Sequence, residues 1–504
     1  MTCTGPGAPG ESHTDVRPAV PGLNSGLRAD AVRGVLWTAL QKWYSRFAQL
    51  ITLVVLARVL DATSFGLVAL ASVFVLIIGA LAELGLTTYL VQVETIGKKT
   101  ASTALWSNLA VAALLCLVLE LTAPMIAAAF DEPDLAPLIR VLAIGVLFIA
   151  GSAVPTALLT RAMTMKPLAL RQMVGTTVGS VGSILMALNG AGAWSLVFQT
   201  VAPLVVGFVV LWAAVSWRPS LEFSGPDARK MVVFGLPVLG TALIHQMRDR
   251  GDELVIGAVL GAQVLGVWVI AVRLMRVVID LFTSVVSAMA LTTFAKVTDD
   301  RVRFTRAIRQ AISAGAAMLT PVMVGLALTS PVLIPFIFGD QWVAAGQVSQ
   351  IISYVGIVIA IQWLDGSIWW ALRKPGTEFT LTVTISVVHL LIVLVAAPHG
   401  LVVLAWAMLG RYLLLAPVRV IALKIRGGIS MSIYADLPRI LAAGAVMAAA
   451  LLVTDRWLVA GLPDSLRLSI DLVAGLVGWL VGMKLFAGPV ARSLASDVKL
   501  ALRR

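Results

Sequence analysis

Fourteen apolar stretches of membrane-crossing length, the first near 34–57 and the last near 466–487, limit what this chain can fold into more than any other feature. A helical crossing needs ~20 apolar residues. The hydrocarbon holds no water to satisfy backbone N–H and C=O groups, so each stretch must be a helix. The composition agrees: 59% of residues are hydrophobic and 13% charged, against roughly a quarter charged in soluble globular chains. The expected class is an all-α integral membrane protein of about 14 transmembrane helices.

Lys and Arg gather on alternate connections. With the amino terminus in the cytoplasm, the inside loops hold Lys98 and Lys99; Arg161, Lys166 and Arg171; Arg218, Arg229 and Lys230; and the run from Lys296 to Arg309. The outside connections are poor in cations, and the one after the third span carries Asp131, Glu132 and Asp134. The positive-inside rule then places both termini in the cytoplasm. A net charge of +12 records this topology and an affinity for the anionic inner leaflet, and calls for no nucleic acid. Residues 1–33 are polar and rich in Pro and Gly, which reads as a disordered cytoplasmic tail with no cleavable signal peptide ahead of the first span. Cys3 and Cys116 support neither a disulfide framework nor a metal site, and no cofactor is expected.

An internal repeat organises the spans. Residues 56–71 align without a gap on 256–271, with Val59, Leu60, Ala62, Gly66 and Ala71 recurring as Val259, Leu260, Ala262, Gly266 and Ala271. Residues 121–146 likewise resemble 329–357, each a span end, a proline, an aromatic-acidic loop and a new span. Six spans separate the copies, so both point the same way across the membrane, as in transporters built from parallel repeats. The expected layout is a six-helix bundle at 34–216, a cytoplasmic linker at 217–230, a second six-helix bundle at 231–423, two extra helices at 424–487 and a tail at 488–504.

The tract ARVLDATSFGLVALA, the loop LIPFIFGDQWVAAGQV and this layout resemble the polysaccharide transporter (Wzx-like oligosaccharide flippase) family of the multidrug/oligosaccharidyl-lipid/polysaccharide superfamily. The resemblance covers roughly 34–490. It implies a multi-pass protein of the bacterial plasma (inner) membrane that moves undecaprenyl-pyrophosphate-linked oligosaccharide repeat units between leaflets by alternating access. The implied partners are that lipid-linked substrate, membrane lipids, and polysaccharide polymerase or export machinery. A lipid II flippase is a second reading, although the arginine-rich start of those relatives is missing here. A multidrug or cation exporter of the same superfamily is a third.

Cations inside the apolar stretches are the candidate substrate contacts. An ionised side chain at mid-membrane costs at least ~2.5 kcal/mol, so it tends to face a protein-lined or wet cavity, and a pyrophosphate would reward several cations there. Lys42 and Arg46 share one helix face at i, i+4 spacing with no acid within a turn. In the tract RDRGDE, Arg248 and Arg250 stand beside Asp249, Asp252 and Glu253; an Arg248–Asp252 pair competes with substrate binding as the reading. Arg276 has Asp280 one turn on, a structural pair, whereas Arg273 has no acid at that spacing. Arg411 lies mid-span, and Arg419 is close enough to the cytoplasmic end to snorkel.

Two acids, Glu83 and Asp365, are candidate ion-coupling sites, with a salt bridge to a buried arginine as the competing explanation. Trp363, Trp369 and Trp370 could stack on sugars or serve in packing. Membrane glycan polymerases and ligases need a large exterior loop, and no outside connection exceeds about sixteen residues, shorter than one further crossing. His13, His245, His389 and His399 are scattered, and no Gly-rich phosphate loop or HExxH tract occurs. The chain is not expected to be an enzyme.

Overall fold

The computed structural model describes residues 27–83, 86–93, 96–297, 301–458 and 461–492. Their regular structure is helical, with no strand among the described residues. Among them, eleven helical stretches are long and apolar enough to cross a bilayer, and the chain is a multi-pass membrane protein. It divides into two compact units, 1–60 with 70–247 and 61–69 with 248–504.

In chain order the first eight helices are α1 (Leu27–Val59), α2 (Ala62–Glu83), α3 (Leu86–Gln92), α4 (Lys98–Ala129), α5 (Leu135–Arg161), α6 (Met165–Leu188), α7 (Ala193–Ala214) and α8 (Gly225–Val297). The first unit takes α8 only as far as Met247. Small residues let helices of this unit approach: Gly175 and Gly179 on α6 face Pro203 of α7, where a Cβ would stand about 3 Å from the proline ring or backbone. Tyr44 and Thr177 share a 2.6 Å hydrogen bond between α1 and α6. Asn108 Nδ2 donates to the Ala150 carbonyl at 3.0 Å, tying α4 to α5. In a bilayer such polar contacts are worth only ~0.6 kcal/mol each on average, so close packing carries most of the association. The connection after α7 is anchored on α4, since the Ser220 and Ser224 amides donate to Ser102 and Thr103 hydroxyls at 2.9 Å.

The second unit continues with α9 (Arg301–Phe338), α10 (Val343–Gln362), α11 (Asp365–Ala371), α12 (Pro375–Ala396), α13 (Leu401–Ile425), α14 (Leu437–Trp457) and α15 (Asp464–Phe486). Helix α8 is interrupted at Gly261, whose φ of 83° and ψ of 172° no helix accommodates and few residues other than glycine adopt. The break folds the second limb back beside the first, bringing Trp268 Nε1 within 3.3 Å of Asp252 Oδ2. The repeated tract meets its own copy here. A Cβ on Gly66 would lie 1.7 Å from the Ala262 carbonyl oxygen, and one on Gly266 would lie 1.8 Å from the Ala62 carbonyl oxygen. The two Ala-xxx-Gly faces therefore touch reciprocally, backbone against backbone.

Positive backbone φ angles recur in matching loops: Asp131 (54°) and Gly339 (109°) after α4 and α9, Met163 (56° in its counterpart Arg373, 55° here) after α5 and α11, and Gly192 (55°) and Gly400 (96°) before α7 and α13. Each pair is about two hundred residues apart, the step of the sequence repeat. The turn after α5 and the one after α11 also close alike: Thr164 N donates to Leu159 O, and Lys374 N to Trp369 O, both at 3.0 Å. The last two helices are secured at their start, where Arg309 of α9 grips both Asp436 oxygens at 2.8 and 2.7 Å and the Ser313 hydroxyl adds a 3.1 Å bond.

Candidate functional site

The charged interior of the second unit sorts the sequence-derived cations into paired and unpaired groups. Arg250 Nη1 donates to Glu253 Oε1 at 2.7 Å, and Arg276 Nη1 reaches the same oxygen at 3.1 Å, with Arg276 Nη2 3.9 Å from Asp252. Glu253 is 1% exposed, so one buried carboxylate holds two guanidinium groups. This corrects two expectations. Arg276 pairs with Glu253 and Asp252, partners that its helix spacing does not offer, because the fold-back at Gly261 supplies carboxylates from the other limb. Arg248 pairs with its neighbour Asp249 at 2.8 Å instead of Asp252, which Trp268 and Arg276 engage.

Asp365, at the first position of α11, is 2% exposed. Its Oδ2 lies 3.5 Å from Arg419 Nη1, which also stands 3.9 Å from Glu378. The Thr382 hydroxyl donates to Glu378 at 3.0 Å. Arg419 was expected to snorkel; its side chain is 16% exposed, because two buried acids hold it inside. Neither Asp365 oxygen makes a hydrogen bond of good geometry, so the interaction is an ion pair at a slightly long distance.

Arg411 is different. It is 6% exposed, mid-helix on α13, and its guanidinium carbon sits 3.8 Å over the Tyr412 ring. Among the described residues it makes no ion pair, and Nε is buried without a hydrogen-bond partner. Arg273 on α8 is half-buried, with Nε likewise buried and unpartnered. A guanidinium carries five N–H donors, and buried donors left unmet are costly. Arg411 can accept an anion without displacing a carboxylate paired with it among the described residues, whereas Arg273 also lies in the field of Asp280 and Glu253. His389 of α12 completes the picture: it is 7% exposed, its Nδ1 is buried without a partner, and Arg411 and Asp249 are within electrostatic reach. No local spacing marks this histidine as part of a cluster, since its neighbours come from α8 and α13.

Lys42 and Arg46 belong to the first unit, on α1, the former exposed and the latter half-buried. Arg171, expected in a cytoplasmic loop, instead lies within α6 and donates to the Thr156 hydroxyl at 3.2 Å. Helix α6 begins at Met165, seven residues ahead of the apolar run expected from about 172. Glu83 is the last residue of α2 and is half-buried. Trp369 is fully buried in the core, Trp363 meets Phe282 edge-on at 5.1 Å, and Trp370 is exposed.

A family described as polysaccharide biosynthesis protein matches residues 55–347. The succinoglycan biosynthesis transport protein ExoT of Rhizobium meliloti (strain 1021) is 28% identical over 68% of this chain and 72% of its own length. The lipopolysaccharide biosynthesis protein WzxC of Escherichia coli (strain K12) is 24% identical over 71% and 73%, and the teichuronic acid biosynthesis protein TuaB of Bacillus subtilis (strain 168) 22% identical over 76% and 81%. Among solved structures, the lipid II flippase MurJ in an inward closed conformation aligns with a TM-score of 0.74 at 14% identity, covering 91% of this chain and 100% of the other. An inward-facing multidrug transporter of the MATE family, in the MOP superfamily, aligns with a TM-score of 0.57 at 15% identity, covering 76% and 94%. The structural likenesses establish a shared fold. With more than half of its sequence matched, the chain belongs to the polysaccharide biosynthesis protein family.

Proposed function

We propose that this chain is a flippase that carries undecaprenyl-pyrophosphate-linked oligosaccharide repeat units from the cytoplasmic to the outer leaflet of the bacterial plasma membrane, by alternating access, for surface or exopolysaccharide synthesis. The observation that carries the reading is Arg411, a cation buried in a membrane helix with no ion-pair partner among the described residues. Relatives named for succinoglycan transport, lipopolysaccharide and teichuronic acid synthesis support the same substrate class. Arg411 and Arg273, on the second unit, are the candidate pyrophosphate contacts that the unmet donors favour, and Lys42 and Arg46, on the first unit, are candidates from the sequence pattern alone. Arg248 and Arg250 are committed to carboxylates and contribute less. Asp365, with Arg419 and Glu378, and Glu83 are the candidate ion-coupling positions.

The proposed topology has fourteen crossings and cytoplasmic termini. Helix α8 supplies two crossings through its break at Gly261, and α1 and α6, with 33 and 24 residues, have the length for two more. The matching positive-φ loops and the reciprocal Gly66–Gly266 contact support two parallel six-helix repeats, 34–216 and 231–423, joined by the linker 217–230 and followed by the extra helices at 424–487.

Deleting the gene tests the function in cells. Lipid-linked oligosaccharide should accumulate on the cytoplasmic leaflet and surface glycan should fall. Normal surface glycan with hypersensitivity to organic cations would point to a drug exporter.

A further inference from the structure

We infer that His389 is a second anion-contacting side chain of the Arg411 site and that the two together hold a phosphate group of the diphosphate head; this rests on the flippase reading above. The imidazole Nδ1 is sealed from solvent and has no hydrogen-bond partner among the described residues. Most buried polar atoms do have a partner, so a histidine and an arginine that both lack one, in the same neighbourhood, mark a place built for something absent from the protein itself.

The packing that puts them there is specific. Helix α12 packs on α13, which carries Arg411. Helix α12 also approaches the charged stretch of α8, where Gly251 makes room: a Cβ on that glycine would stand 2.5 Å from Leu390 Cδ2, the residue next to His389. The imidazole is thereby within electrostatic reach of Asp249 of α8 and Arg411 of α13. Asp249 is taken by Arg248 at 2.8 Å and is half exposed, so it is not the counter-ion of Arg411. Tyr412 covers a face of the guanidinium and leaves its N–H edges unspent.

The chemistry selects the ligand class. The two unmet side chains offer N–H donors and one fixed positive charge, which suits an oxyanion and opposes a metal cation. A tetrahedral phosphate presents several oxygens to a guanidinium fork and an imidazole N–H together. A uronate carboxylate in the glycan could use the same donors, and the experiment separates it from the diphosphate.

The full chain, purified into lipid nanodiscs, is titrated with geranylgeranyl diphosphate, geranylgeranyl monophosphate and glucuronate. Wild-type protein should prefer the diphosphate. His389→Leu should weaken diphosphate binding tenfold or more, the loss of one charge-assisted hydrogen bond, and erase the preference over the monophosphate. His389→Gln, which keeps an N–H donor, should restore binding to within about threefold, less than the loss of one hydrogen bond. Because the imidazole Nδ1 has no hydrogen-bond partner among the described residues, leucine strands none there, and both variants should melt like wild type without ligand. Unchanged diphosphate affinity in His389→Leu overturns the histidine's role and leaves the flippase reading standing. Tighter binding of glucuronate than of the diphosphate overturns the phosphate assignment. No diphosphate binding by the wild-type protein overturns the reading on which the inference rests.

Discussion

Replacing Arg411 with methionine should make the ligand-free protein more stable while abolishing transport. Arginine at the centre of a membrane helix costs ~2.5–3.5 kcal/mol even on permissive insertion scales. Among the described residues, no carboxylate pairs with Arg411 and no acceptor meets its Nε, so neither offsets this cost. The one visible compensation is the Tyr412 ring, 3.8 Å from the guanidinium carbon, and a desolvated cation–π contact returns ~1–2 kcal/mol. The difference leaves a liability of about 1–2 kcal/mol that methionine, flexible and similar in length, would remove. Thermal unfolding in nanodiscs, beside glycan export in a deletion strain, reads both consequences. A melting temperature above wild type with export lost is expected. A clear fall in melting temperature would refute the reasoning, because it would mean that Arg411 is satisfied within the protein and is a structural residue.

Arg419→Met should do the opposite: it strands Asp365 and Glu378, and breaking a buried pair costs ~3–5 kcal/mol, so membrane abundance measured by immunoblot should fall sharply. Gly66→Ala should lower abundance as well, since its Cβ would stand 1.7 Å from the Ala262 carbonyl oxygen and the two backbones would have to separate; wild-type abundance and melting would contradict the close contact. Lys42→Ala and Arg46→Ala, on the first unit, should lower export with little change in abundance, and wild-type export in both would remove them as candidate substrate contacts.

The helices were legible because apolar length alone forces them: α4 and α5 cover the apolar stretches near 103–124 and 138–160. The loops after α4 and α9 were legible too, through the shared Phe130–Asp131 and Phe338–Gly339 turns. Partners of the buried charges were not. Sequence spacing pairs Arg276 with Asp280, but one glycine at 261 turns the chain back and brings Glu253 nearer. Arg419 reads as a cation near a helix end until α11 and α12 place Asp365 and Glu378 around it. His389 looks isolated among apolar residues, and only the packing of three helices gives it neighbours. Periodicity reports which residues share a helix face, whereas charge pairing between helices depends on tertiary geometry that no local spacing contains.

The central claim is tested most directly by reconstituting the purified protein in sealed liposomes loaded with a fluorescent undecaprenyl-pyrophosphate-linked oligosaccharide and measuring how fast the glycan becomes accessible to an external glycosidase. The account predicts protein-dependent exposure that Arg411→Met abolishes. Exposure at the rate of empty liposomes, from protein that melts cooperatively, would contradict it.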